Sequence, residues 1–300
     1  MMTANERPAG GIGGPRRPDV MVEDFDVEVS VGHVRAHRFG SPGDHLVICV
    51  PGISANTRWF DYLAEGLVER GRQVVAIELR GRGHSAVTPS GTYGLYNHAR
   101  DVFAVARELG AETFDYIGHS MGAYVGMEAG ALRNDVRLRR LVLIDGLGVP
   151  RISAMMSIAR ALERLDRYYD SADAYIASVR SLGLVPEWNA YWQRIYEYEL
   201  LDEGGRVRSR TRRAPVFEDI AYGRTHDARR LWRKLDLPVL ALRATRPIAG
   251  RTGFIVPPYD LANFARVAPQ GSVAEVDANH YDIVMHPHTL ATIRGFLDAA

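Results

Sequence analysis

Two reactive residue types are almost missing from this chain. Of its 300 residues one is cysteine, Cys49, and one is lysine, Lys234. A single cysteine excludes an internal disulfide framework and fits a reducing compartment, so a cytoplasmic location is expected. Cys49 sits inside the apolar run HLVICV, where a buried structural thiol is expected rather than a nucleophile. Arginine supplies nearly all the basic charge, a bias that points to GC-rich coding and not to a binding function. Formal net charge is only +1, which leaves no field across the molecule to attract nucleic acid or a membrane surface. No apolar run approaches the roughly 20 residues of a membrane span. The first residues, MMTANERPAGGIGGPRRPD, lack the apolar centre of a secretory signal, and residues 1–22 read as a disordered tail. His, Asp and Cys nowhere cluster at metal-ligand spacing, so neither metal nor organic cofactor is expected. The partner implied is a small-molecule substrate; the oligomeric state is left open.

What the sequence does contain is a rhythm. DFDVEVSVGHVRAHRFG alternates apolar and polar residues, as one or two antiparallel strands at a sheet edge would. HLVICV, QVVAIEL and TFDYIG are short, nearly continuous apolar runs of the kind that form parallel strands covered on both faces. Helical patterns separate them, around Trp59 to Glu69 and Tyr96 to Leu109. LRRLVLIDG continues the series after a helix from about Met121 to Arg133. The rhythm stops at Pro150 and resumes with DLPVLALRA, GSVAEVDAN and a closing helix near His288 to Leu297. Strands alternating with helices call for right-handed crossovers and a doubly wound, mostly parallel sheet. One α/β core, residues 23–149 and 235–300, is therefore expected to carry a helical insertion at 150–234.

Within that rhythm DYIGHSMGAY places Ser120 in the pattern G-x-S-x-G, between an apolar strand and a helix. A sharp strand-to-helix turn leaves no room for bulk beside the serine, which accounts for both glycines. The helix beyond points its first amides at the space above Ser120, making the N–H of Met121 the first candidate oxyanion donor. A serine hydroxyl is a weak nucleophile and also needs a base and a group to orient that base.

At these residues the chain resembles the α/β-hydrolase fold superfamily, in the serine-nucleophile branch with a helical cap inserted after the sixth strand. VPGISAN (50–56) resembles that family's His-Gly oxyanion loop, with Gly52 matching and Pro51 in place of histidine. The resemblance makes the backbone N–H of Ile53 the second oxyanion donor. ELRGRGHS (78–85) is similar to the family's Asp-x-Arg-Gly-x-Gly-x-Ser turn, with Glu78 replacing Asp. DANHYD (277–282) follows the last strand, where the family places its catalytic histidine, so the resemblance implies His280 as base. His84, His286 and His288 are expected to pack, cap or lie at the surface.

The orienting acid departs from the pattern. In most such relatives it follows the seventh strand, here PVLALRATRPIAG, yet no Asp or Glu occurs between Asp236 and Asp260. Asp145 is the leading replacement, because carboxyl ends of parallel strands gather at one rim of the sheet. It also keeps the chain order Ser120, Asp145, His280. Asp282, Glu78 and a Ser-His dyad without an acid are the alternatives.

The insertion carries RYYDSADAYIASV (167–179) and EWNAYWQRIYEYEL (187–200), read as two amphipathic helices burying their aromatics against each other. Some of those rings, with Trp188, Tyr191 and Trp192 foremost, are candidates to line a pocket over Ser120 together with Gly52 and His119. RVRSRTRRA (206–214) reads as a solvated basic loop, and Arg246 as a candidate for a substrate carboxylate or phosphate. The function expected is a serine hydrolase acting on a small ester, lactone or thioester. Acyl elimination or transfer, carbon–carbon cleavage, and a non-catalytic ligand-binding role on the same fold are the alternatives.

Overall fold

A computed structural model describes residues 22–150, 152–248 and 253–299; of the tail expected at 1–22, residues 1–21 lie outside them and Val22 already belongs to the first strand. Two antiparallel strands come first among the described residues, β1 (Val22–Glu28) and β2 (His33–Phe39), with Val27 paired to Val34. There follow β3 (His45–Val50), helix α1 (Asp61–Val68), β4 (Arg72–Ile77), α2 (Leu95–Glu108), β5 (Thr113–His119), α3 (Met121–Ala131) and β6 (Arg137–Ile144). β3 and β4 are buried almost throughout, as their β-branched runs require. α2 buries Leu95, Ala99, Val102, Phe103 and Ala106 at helical spacing and turns Tyr96 and Arg100 outward.

Between β6 and the next core strand lie α4 (Ile152–Leu162), α5 (Ala172–Ser181), α6 (Ala190–Tyr198), the hairpin β7 (Leu200–Glu203) and β8 (Arg206–Ser209), and α7 (Arg213–Thr225). The core resumes with β9 (Val239–Ala244), α8 (Pro258–Val267), β10 (Gly271–Val276) and α9 (Pro287–Asp298). His286 caps α9 by accepting the N–H of His288. Sheet order is β1-β2-β4-β3-β5-β6-β9-β10; β2 is antiparallel to β4, and every pair from β4 to β10 is parallel. The mostly parallel, doubly wound sheet matches the expectation from sequence. Among the described residues no helix is long and apolar enough to cross a membrane.

The inserted segment departs from expectation at its basic run. RVRSRTRRA is not a free loop: β8 pairs with β7, and Arg208 is buried against Glu203. The alternating Val207 and Ser209 were too few to register as a strand against the five arginines of the run. α5 and α6 do meet through aromatics, Tyr175 lying 6.5 Å from Tyr196, on which Trp188, just ahead of α6, stacks at 5.5 Å. Trp192 reaches further, meeting Trp59 of the core edge-on at 5.0 Å.

Candidate active site

β5 ends at His119 and α3 begins at Met121, so Ser120 alone makes the turn, at φ 54 and ψ −118. A non-glycine residue held there stores about 1–3 kcal/mol of strain, sustained only by its surroundings. The surroundings are tight. A Cβ on Gly118 would strike the carbonyl of Gly122, and one on Gly122 would strike the carbonyl of Val50. Both glycines of the motif therefore serve close backbone approach.

Asp145 follows β6 directly and also has a positive φ, 43°. The N–H of Ala244 donates to its Oδ1 at 3.0 Å, and His280 Nδ1 lies 2.7 Å from its Oδ2. His280 stands on the turn after β10, its Nε2 3.0 Å from Ser120 Oγ. All three side chains are buried. A carboxylate beside Nδ1 fixes the proton there and leaves the Nε2 lone pair facing the serine hydroxyl. The two rival acids are engaged elsewhere. Asp282 accepts the N–H of Asn279 and pairs with Arg246, while Glu78 accepts the N–H of His84 at 2.6 Å.

His119 is buried beside this chain and donates from Nε2 to the carbonyl of His280 at 2.9 Å. Its ring stacks on Trp59 at 5.7 Å and leans on His280 at 4.6 Å. Burial, and then His280, hold its pKa well below the usual histidine value, so it is neutral. It thereby steadies the turn that carries His280.

A pocket of about 50 Å³ opens over Ser120. One water needs about 10–15 Å³ measured this way, so the space holds only a few atoms. Gly52, Ile53, Ser54 and Ala55 line it together with the rings of Trp59, His119, Tyr196 and Tyr281. Met121 begins α3, where the first amides have no intrahelical partner. Of the residues singled out from sequence, Gly52, Ile53 and His119 border the pocket. Trp188, Tyr191, Trp192 and Arg246 do not: Tyr191 donates to Glu65 and Arg246 reaches the carbonyl of Asp277. Helical spacing said that one face of α6 was aromatic, but not that Tyr196 alone of those rings would turn to the pocket. Trp59, Arg164, Glu199 and Tyr281 border it too, and only Tyr281 had a signal, as the neighbour of His280.

A Cβ on Gly52 would lie 3.4 Å from Ser120 Cβ and 3.8 Å from Ser120 Oγ, ordinary contact distances. Gly52→Ala is therefore expected to fold with a nearly unchanged Tm. The methyl fills the space over the serine, and kcat/KM should fall about 10²-fold, the scale of a small misplacement. Thermal melting and turnover, measured on one preparation, check both halves.

Glu78 is buried, and burial pushes its carboxyl up from 4.5 to about 7 against the N–H donors of His84 and Thr57. Its folded pKa exceeds its unfolded one, so the stability it contributes is full below about 4.5 and is lost as pH rises through 7. The span is about 3 kcal/mol. Glu78→Gln should remove that slope: Tm of the wild type falls more between pH 5 and 8 than Tm of the variant. Equal slopes in the two proteins would contradict the assignment.

A serine at a strained elbow over a doubly wound sheet, with a helical segment inserted after β6, defines the α/β-hydrolase class. The chain belongs to the alpha/beta hydrolase fold family, whose model matches residues 45–287. It is 31% identical over 265 residues to N-formylmaleamate deformylase of Pseudomonas putida, covering 83% of this chain and 87% of that protein. To 2-(acetamidomethylene)succinate hydrolase of Mesorhizobium japonicum it is 26% identical, covering 90% of this chain and 94% of the relative. Among solved structures, E-2-(acetamidomethylene)succinate hydrolase superposes with a TM-score of 0.79 at 22% identity over 93% of this chain and all of that one. A hydrolase structure from Rickettsia typhi gives 0.75 at 15% identity, over 92% and 98%. The protein is an enzyme, a hydrolase.

Proposed function

We propose that the protein is a serine hydrolase that cleaves a small acyl compound through an acyl-enzyme on Ser120. The observation carrying this reading is the unbroken buried chain from Asp145 Oδ2 through His280 to Ser120 Oγ, with spacings of 2.7 and 3.0 Å. His280 Nε2 takes the hydroxyl proton as Oγ bonds the carbonyl carbon, and the carbonyl electron pair moves onto oxygen. The amides of Met121 and Ile53 meet that oxyanion. As the intermediate collapses, His280 returns the proton to the leaving group. Water then attacks the acyl-enzyme, its proton passing to Nε2, and the acid departs as the proton returns to Ser120 Oγ.

The small pocket favours a formyl- or acetyl-sized acyl group. The names of the two relatives, a deformylase and a hydrolase of an acetamido compound, support that size and add amides to the esters, lactones and thioesters. Cytoplasmic location follows as part of the same reading, from the lone cysteine.

Burst kinetics with p-nitrophenyl acetate and butyrate test it. Acetate should give a burst stoichiometric with enzyme, then turnover, with butyrate slower. Absence of burst and turnover, with Ser120 still labelled by an organophosphonate, would shift the reading to elimination or carbon–carbon cleavage.

A further inference from the structure

The loop from Gly52 to Asn56 is fastened residue by residue. The N–H of Ala55 donates to the carbonyl of Gly52 at 3.2 Å, which fixes the peptide plane that bears the Ile53 N–H. Arg82 Nε donates to the carbonyl of Ile53 at 2.9 Å. Arg164 donates to the next carbonyl, that of Ser54, at 3.2 Å. Asn56 Nδ2 then donates to the carbonyl of Ile195 in α6 at 2.9 Å.

Both arginines are buried, and each is paired with a buried carboxylate of the inserted segment. Arg82 meets Asp219 of α7 at 2.5 Å, and Arg164 meets Glu199, just past α6, at 3.1 Å. Asp219 also accepts from the N–H of Gly94 at 2.7 Å and from His98 at 3.1 Å. Burial alone would raise its pKa, but Arg82, His98 and the Gly94 N–H bring it down to about 2, so the carboxylate is charged at neutral pH. A guanidinium fork can hold a carboxylate and a carbonyl together, which an ammonium cannot do in the same geometry. Two buried ion pairs are costly devices, and here both end on consecutive carbonyls beside the nucleophile.

We propose that Asp219 and Glu199, acting through Arg82 and Arg164, are positioning residues that hold the Ile53 amide in register with the developing oxyanion. The inserted segment is on this view a structural part of the oxyanion hole and not only a cover for the pocket. The inference rests on the serine-hydrolase reading above. It goes beyond that reading by assigning transition-state geometry to residues that never touch the substrate.

The test uses four single variants of the full chain, Asp219→Asn, Glu199→Gln, Arg82→Lys and Arg164→Lys, each checked for folding by thermal melting. The lysine variants keep the charge opposite each carboxylate, so a folded protein remains to be measured if the carboxylate variants melt. The substrates are p-nitrophenyl acetate and p-nitrophenyl thionoacetate, whose larger, softer sulfur fits amide donors poorly. If the clamps act on the oxyanion hole, kcat for the ester falls about 10- to 100-fold, less than the loss of a whole donor. KM should change little, and the oxygen-to-sulfur rate ratio should fall with kcat. An unchanged ratio in a slowed variant, or an unchanged kcat in a folded one, overturns the proposal. Turnover that survives Ser120→Ala would sink the serine-hydrolase reading itself, a distinct failure.

Discussion

Converting Asp145 to asparagine is expected to lower kcat about 10⁴-fold with the fold intact. The cause is a tautomer and not a lost charge alone. Ala244 N–H donates to Oδ1 of this carboxylate, so an asparagine keeps that bond only by turning its own oxygen toward Ala244. Its amide N–H₂ then faces His280 Nδ1, which must accept rather than donate. The ring proton moves to Nε2, where it points at Ser120 and cannot be exchanged for the serine's own. Steady-state turnover of p-nitrophenyl acetate measures the loss. Asp282→Asn, whose carboxylate serves the turn at Asn279 and pairs with Arg246, should cost a few-fold at most. A mild Asp145→Asn beside a severe Asp282→Asn would transfer the role.

The second large effect lies in a double variant. Ser120→Ala and His280→Ala should each reduce kcat about 10⁶-fold, and the pair together should be no worse than either alone. Base and nucleophile perform one act: without the hydroxyl, His280 Nε2 has no proton to take across its 3.0 Å bond. What remains is the help of amide donors and binding, which neither alanine touches. Single-turnover measurements at high enzyme concentration reach such rates. Losses that multiply in the double variant would show that the two residues act separately.

The sheet was legible because its central strands are largely buried on both faces and therefore nearly continuously apolar. HLVICV and LRRLVLID advertise themselves. The elbow was legible because backbone crowding forces glycine at 118 and 122. Asp145 could be read from position, at the rim of a parallel sheet, once the stretch after β9 proved empty of acids. Other features were opaque for physical reasons. α8 has its Pro258 start and buried Leu261 and Phe264, but so short an apolar stripe stands out poorly beside a loop. The choice of Tyr196 over Tyr191 as a pocket ring depends on how α6 rolls against Trp59, a tertiary matter. Arg82, Arg164 and their carboxylates are charged residues far apart in sequence. No local pattern marks a charge that will be buried.

Ser120 and Asp145 leave β5 and β6, neighbours in the middle of the sheet, whereas His280 leaves β10, an edge strand held on one side only. Sheet margins loosen before sheet centres. On warming, the nucleophile and its acid partner should therefore keep their places longest, and the imidazole should be the first of the three to wander. Hydrogen bonds to neighbouring segments resist this, among them that from His119 to the carbonyl of His280, that from Asn279 to the carbonyl of Leu184, and those from Arg246 to the carbonyls of Ala278 and Asp277. Activity should therefore fade on warming before the core melts, as the hydrogen bonds of that one turn give way.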